Sequence, residues 1–278
     1  MAYKHLIVHL DGGERAAERL DLAARLAQRW GARLTGLFAE GQAWGPRLKP
    51  GRPRQGYAKA LKAAAARFDA RVREAGVEHD WWRVADREMD VGGIAARYCR
   101  YADLAILGQH DPEDERAPAD LASQVLLESG RPVLLVPSVG HYPDTGRRVV
   151  IAWNGSREAA RAVNDALPLV GERAQVLVVD LRTRRTATSR QELQQADIVA
   201  HLKAHGIEAG RERVLLEAGR DRDNGVDVLN TVLNAAADFG ADLVVMGARG
   251  RHGVPFPRPG RQTRDTLRSM VAPVLLSL

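Results

Sequence analysis

The chain has 278 residues, of which 45% are apolar, 5% aromatic and 27% charged, and its formal net charge is +6 at pH 7. This composition favours helices packed on aliphatic strands and excludes an aromatic-rich sandwich or a base-stacking surface. The single cysteine, Cys99, excludes an internal disulfide framework and favours a cytoplasmic location, and no apolar run is long enough for a signal-peptide core or a membrane span.

Short apolar runs alternate with helical patterns along the first half of the chain. Strands are predicted near 5–10, 33–38, 80–84, 103–107 and 132–136. Helices are predicted between them near 14–30, 57–75, 91–101 and 118–128. The first helix has one apolar face, formed by Ala16, Leu20, Ala23, Ala24 and Ala27.

The second half repeats this alternation. Strands are predicted near 148–153, 174–180, 212–216, 242–246 and 273–277. Helices are predicted near 156–170, 188–205, 225–239 and 262–270. Runs such as LVVM are apolar on both faces, which is typical of parallel strands covered by helices on each side.

Internal similarity shows that the repeating unit is a whole domain. ADLAILG at 102–108 recurs as ADLVVMG at 241–247, and RPVLLV at 131–136 recurs as APVLLS at 272–277. The polar segment 138–146 contains Gly and Pro and is predicted to be a linker. We therefore predict an α/β fold with two doubly wound five-stranded parallel-sheet domains in tandem, at 1–140 and 147–278.

The loop after the fourth strand differs in charge between the halves. In such sheets ligands bind beyond the carboxyl ends of the strands, so the turn after the first strand and this loop are candidate sites. The segment 109–120 of the first half has five acidic residues and one arginine, whereas 247–264 of the second half has five arginines and no acid. If one half of the chain binds phosphate, the second half is favoured, because the acidic loop of the first half would repel it.

The second half ends with DLVVMG, glycines at 247 and 250, nine residues, Gly260 and a helix running into APVLLS. This combination resembles the universal stress protein family in its tandem two-domain form, over nearly the whole chain. The resemblance implies a fold of the adenine nucleotide alpha hydrolase type in both halves and a role in the stress response. One branch of the family binds ATP or AMP, with Mg²⁺ needed only if ATP is bound.

The resemblance also implies the residues of a nucleotide site. In the second half they are Asn154, Leu181, Gly247, Gly250, Gly260, Arg261, Gln262 and Thr263. Asn154 stands where the family usually has an acid, and Arg261 replaces a Ser or Thr, although Thr263 can supply a hydroxyl. The first half keeps only Asp11 and Gly108 of this pattern.

Other interpretations remain open for these loops. Asp11 is expected to cap the first helix rather than contact a ligand, and Asn154 and Ser156 can serve either role. The glycines can simply form turns with positive φ. Asp197, His201 and His205 share the spacing of one helix face, which we interpret as solvated and not as a metal site.

The incomplete motif in each half supports a second hypothesis. In it the chain is a stress scaffold that binds no nucleotide and acts through protein partners or self-association. A third hypothesis is nucleic-acid binding, which is not favoured. It is supported only by the pI near 9.8 and by the basic segment 41–56. No catalytic motif is present, and the resemblance implies a sensor or carrier with at most slow ATP hydrolysis.

Overall fold

The computed structural model describes residues 2–42, 57–110, 118–183, 197–216, 224–248, 270 and 272–278. The chain divides into two compact units, Met1–Pro143 and Asp144–Leu278, and the boundary lies inside the segment 138–146. Within the ranges just given, no helix combines the length and the apolar character that a membrane crossing requires.

The first unit is a five-stranded parallel sheet covered by helices. Its strands are β1 (His5–His9), β2 (Arg33–Gln42), β3 (His79–Asp90), β4 (Leu104–Gly108) and β5 (Val133–Val136). Its described helices are α1 (Ala16–Trp30), α2 (Tyr57–Ala75), α3 (Val91–Cys99) and α4 (Leu121–Ser129). The strand order is β3-β2-β1-β4-β5, so the chain leaves β1 in one direction and returns on its other side at β4.

The second unit repeats this topology. Its strands are β6 (Arg148–Trp153), β7 (Gln175–Thr183), β8 (Ala209–Leu216), β9 (Leu243–Gly247) and β10 (Val274–Ser277). Its described helices are α5 (Arg157–Ala166), α6 (Ile198–Ala204) and α7 (Asn224–Phe239). The order is β10-β9-β6-β7-β8, again with parallel neighbours. The α/β prediction of two doubly wound five-stranded sheets is therefore confirmed.

Most predicted elements agree with the structure to within a few residues. The largest difference is β3, which was expected only over 80–84. It continues to Asp90 because its backbone stays paired with β2 as far as Gln42, beyond the apolar run that marks it in the sequence. The second half of the predicted helix near 188–205 is observed as α6, whereas 188–196 and nearly all of the predicted helix near 262–270 lie outside the described residues.

Helices cover both faces of the first sheet. Phe68 of α2 packs on Trp81 of β3, with ring centroids 5.4 Å apart, whereas Tyr98 of α3 packs on Trp82, at 5.7 Å. Since successive side chains of a strand point to opposite faces, α2 and α3 lie on opposite sides of the sheet. This arrangement explains why strands such as β4, which reads LAILG, are apolar on both faces.

The aspartate of the repeated ADL sequence has the same role in both units. Asp103 Oδ2 accepts hydrogen bonds from the backbone N–H groups of Lys4 (2.8 Å) and His5 (3.0 Å), at the start of β1. Asp242 Oδ1 accepts from the N–H groups of Gly146 (2.8 Å) and Arg148 (3.1 Å), at the start of β6. The repeat therefore preserves a carboxylate that fixes the first strand of each sheet.

We expect Asp242→Ala to lower the free energy of unfolding of the second unit by about 2 kcal/mol, because hydrogen bonds to a charged group are lost and the strand N–H groups lose their acceptor. Urea unfolding followed by tryptophan fluorescence measures the change, and the part of the signal that is lost in a Trp153→Phe background belongs to this unit, which has no other tryptophan. Asp238→Ala, at an exposed residue, is the control. Equal midpoints for the two variants would contradict the role of Asp242.

Candidate functional site

In the second unit, three predicted site residues lie at the carboxyl ends of neighbouring strands. Asn154 directly follows β6, Leu181 is near the end of β7, and Gly247 ends β9. Strand β6 pairs with β7 on one side and with β9 on the other, so this edge is the point where the strand order reverses. Crevices at such points are the usual ligand sites of doubly wound sheets.

The turn after β6 is held by its own side chains. The Ser156 N–H donates to Oδ1 of Asn154 at 3.0 Å, and the Ala159 N–H donates to Oγ of Ser156 at 3.1 Å. Gly155 between them has a φ of +74°, a conformation that favours glycine. Ser156 is thus the N-cap of α5, and Asn154 shapes the turn while its side chain stays exposed.

The end of β7 carries an ion pair that sequence reasoning missed. Asp180, only 1% exposed, precedes Leu181, and its Oδ2 lies 3.7 Å from Nε of Arg213 on β8. The strand register makes Trp153, Asp180 and Arg213 partners across β6, β7 and β8. An apolar residue, a buried carboxylate and a cation therefore stand in one row beside the predicted adenine-facing backbone, while the Leu181 side chain is buried.

Gly247 is packed against the backbone of α5. A Cβ at this position would overlap the carbonyl carbon of Glu158 and the amide nitrogen of Ala159, so only glycine fits. The chain therefore leaves β9 beside the first turn of α5, where backbone N–H groups and the positive end of the helix dipole favour anions. Gly250, Gly260, Arg261, Gln262 and Thr263 lie outside the described residues.

The corresponding edge of the first unit contains a buried arginine. Arg19 of α1 is 3% exposed, its Nε donates to the His9 carbonyl at 2.7 Å, and its Nη2 pairs with Oδ2 of Asp11 at 3.0 Å. A Cβ on Gly108 would overlap Nη1 of the same guanidinium. The two predicted residues of this edge, Asp11 and Gly108, are thus brought together, with Arg19 between them.

The expected capping role of Asp11 is wrong. Its Oδ1 accepts from the Gly13 N–H at 2.9 Å, which shapes the turn, but the N-cap position of α1 is Arg15, whose side chain makes no capping hydrogen bond. The carboxylate instead serves as the partner of a buried cation. Sequence reasoning missed Arg19; the signal that could have revealed it is a charged residue inside the apolar stripe between Ala16 and Ala23.

Comparison with known proteins agrees with this topology. Residues 146–277 match the model of the universal stress protein family. The second unit is a universal stress protein domain.

Solved structures extend the likeness to both domains. A universal stress protein from Archaeoglobus fulgidus DSM 4304 matches with a TM-score of 0.69 and 15% identity, over 98% of this chain and 95% of that chain. A Pseudomonas aeruginosa UCBPP-PA14 protein, described as a candidate universal stress protein, matches with a TM-score of 0.59 and 17% identity, over 99% of this chain and 93% of that chain. The chain thus has the universal stress protein fold, which is of the adenine nucleotide alpha hydrolase type, over its whole length.

Shorter structures match as well. One is a universal stress protein in complex with cAMP, with a TM-score of 0.38 and 20% identity, over 50% of this chain and 100% of that chain. No curated protein sequence matches the chain.

Burial and charge set the protonation states of the first domain's cluster. Burial lowers the pKa of His9 to about 4, since Asp11 offsets this effect only in part and Arg19 adds to it. Burial acts to raise the pKa of Asp11, but Arg19, His9 and the Gly13 N–H together lower it to about 2. At neutral pH this first domain of the universal stress protein fold therefore contains a neutral histidine beside a buried carboxylate–guanidinium pair.

The histidines of α6 show no metal geometry. Asp197 is the N-cap of the helix, where Oδ1 accepts from the Val199 N–H at 2.8 Å and pairs with Arg211. The rings of His201 and His205 are in edge contact, with centroids 4.8 Å apart. In the ranges that the structure describes, no group of three His, Cys, Asp or Glu side chains is placed to hold a metal ion.

We expect Gly247→Ala to destabilise the universal stress protein domain by about 2 kcal/mol or more, because the added methyl group overlaps rigid helix backbone. The matched control is Gly210→Ala on β8 of the same domain, where the nearest atoms to an added Cβ are 3.8 Å away. Urea unfolding followed by tryptophan fluorescence compares the two, with the second-domain signal identified by its loss in a Trp153→Phe background. Similar midpoints would contradict the close approach of β9 and α5.

Proposed function

We propose that the second domain binds ATP or AMP at the carboxyl ends of β6, β7 and β9, and that the chain serves the stress response as a sensor or carrier. The observation that supports this most is the junction of Gly247 with the first turn of α5. This junction places the end of β9 beside the positive end of the α5 dipole, and in the sequence the arginine-rich stretch 249–264 begins two residues after Gly247.

The residues of the proposed site contact different parts of the nucleotide. The exposed Asn154 amide bonds a ribose hydroxyl, because Oδ1 has a second lone pair and Nδ2 has two N–H groups. The backbone at Leu181 faces the adenine. Phosphates lie against Gly247, Gly250 and Gly260 and accept from the amides of Arg261 and Gln262, with the Thr263 hydroxyl nearby. Mg²⁺ accompanies ATP only, and we assign no catalytic residue.

We place the protein in the cytoplasm. Cys99, its single cysteine, is buried, and burial raises the pKa of the thiol to about 12. A buried thiol that stays protonated is a core residue and not a reactive group. A single free cysteine of this kind fits the reducing environment of the cytoplasm.

Calorimetric titration of the full chain with ATP and with AMP tests the nucleotide proposal. We expect saturable binding, weakened about two- to tenfold by Asn154→Ala through the loss of one hydrogen bond. Asn154→Asp is the matched control, since it keeps the acceptor for the Ser156 N–H and should retain binding. A titration without heat at millimolar nucleotide would remove the proposal.

A second candidate function is a scaffold that binds other proteins or itself. It is favoured by the incomplete glycine motif in each half, and Tyr101, at 75% exposed, and Val139, at 70%, leave apolar surface of the first domain open to a partner. Analysis of a denatured extract of the freshly purified protein separates the two candidates. Released ATP or AMP would count against the scaffold, and its absence together with a concentration-dependent oligomeric state would favour it.

A further inference from the structure

The crevice at the carboxyl ends of β1 and β4 in the first domain is filled by the Arg19 side chain of the same domain. The Arg19 guanidinium contacts the last residue of β1 through the His9 carbonyl and the following turn through Asp11. It also lies against Gly108, the last residue of β4. Strands β1 and β4 are the neighbours between which the strand order reverses. A buried cation therefore spans the place where a doubly wound sheet binds its ligand.

The second domain has small side chains at the matching positions. Leu6 pairs with Leu104 as Val149 pairs with Leu243, so the strand registers make the two domains comparable residue by residue. On this register Ala152 matches His9, and Ala162 matches Arg19. Both alanines are buried, and Asn154 takes the place of Asp11. The matching positions of the second domain thus hold neither the cation nor its carboxylate partner.

We propose that Arg19 is an internal occupant that closes the crevice of the first domain to nucleotides, so that the chain binds one nucleotide, in its second domain. The stoichiometry rests on the proposed function, but the occupancy by Arg19 does not. A nucleotide could enter only by displacing the guanidinium from Asp11 and from the His9 carbonyl, which would leave a buried carboxylate without its cation.

The first test uses methylguanidinium and requires no nucleotide. Arg19→Ala leaves a space of guanidinium shape beside Asp11. We expect about 10 mM methylguanidinium to raise the melting temperature of this variant by about 2 to 4 °C relative to its effect on the wild type. Asp11→Asn/Arg19→Ala should show no such rise. Arg71→Ala, which removes a partly exposed arginine paired with Asp21 in the same domain, is the matched control.

The second test installs the arginine pair in the other domain and remains informative if Arg19→Ala does not fold. Ala162→Arg/Asn154→Asp places a guanidinium and a carboxylate at the matching positions. We expect it to bind ATP and AMP at least about tenfold more weakly in calorimetry than Asn154→Asp measured in parallel, so that the added guanidinium accounts for the difference. The wild type should bind one nucleotide per chain.

Two results would overturn the inference: two equivalents of nucleotide bound per wild-type chain, or equal effects of methylguanidinium on the wild type and on Arg19→Ala. Unchanged nucleotide binding by the Ala162→Arg/Asn154→Asp variant would also count against it. Rescue of Arg19→Ala in a protein that binds no nucleotide supports the occupancy and refutes the proposed function instead. The two failures are therefore distinguishable.

Discussion

Asp11→Asn should lower the free energy of unfolding of the first domain by about 2 to 3 kcal/mol at pH 7. The Asp11 carboxylate has a pKa near 2 in the folded protein, against 3.8 for an ordinary aspartate, and each pKa unit corresponds to about 1.4 kcal/mol. Its side chain is only 11% exposed, so water screens the Arg19 pair little. Without the carboxylate, the buried guanidinium has no counter-charge.

The pH dependence of this difference has a definite sign. Because folding depresses the pKa of Asp11, the stability that the carboxylate contributes is fully present above pH 4 and is lost as the pH falls toward 2. The wild type and Asp11→Asn should therefore converge in acid. Urea unfolding in a Trp153→Phe background leaves tryptophans only in the first domain and measures the difference. The control, Asp69→Asn, removes an exposed pair with Arg73 and should cost less than about 0.5 kcal/mol.

His9 should make the first domain sensitive to mild acid. Its pKa is about 4 in the folded protein, against 6.5 in an exposed histidine, so the unfolded chain binds a proton that the folded chain does not. The stability of the domain should be full above pH 6.5 and fall by about 3 kcal/mol as the pH drops to 4. Below pH 4, His9 is protonated in both the folded and the unfolded chain, so the stability falls no further through this residue.

His9→Gln removes the titrating group and should flatten the stability profile between pH 6.5 and 4, whatever it costs at pH 7. The same fluorescence measurement of urea unfolding follows it. His141→Gln, which removes an exposed histidine of the same domain, should keep the profile of the wild type. A slope in His9→Gln equal to that of the wild type would show that another group causes the acid sensitivity.

The fold was largely predictable because its signals are local and occur twice. Apolar runs of strand length, helical periodicity and the repeated ADL sequence each reflect burial on both faces of a parallel sheet. The element boundaries follow from these patterns. The length of β3 did not, because its extension depends on backbone pairing with β2 and not on side-chain hydrophobicity.

The site was less predictable because it depends on partners that are distant in sequence. The order of the strands and the family resemblance pointed to Asp11 and Gly108 but not to the guanidinium between them, which belongs to a helix whose buried face is otherwise apolar. Asp180 was missed for the same reason, since its cation Arg213 lies on the next strand. The positions of charged residues and glycines in the sequence indicate which residues form a loop. The oppositely charged partners of these residues are distant in sequence and can be identified only from the folded structure.

The Arg19–Asp11 pair also bears on how two copies of one domain diverge. Once both residues are in place, the loss of either one leaves the other charged and buried, so each change alone is deleterious. A return to an open crevice then requires two substitutions at once, whereas Ala152 and Ala162 of the other copy impose no such constraint. The mutual dependence of the two residues of this ion pair therefore preserves the difference between the two crevices.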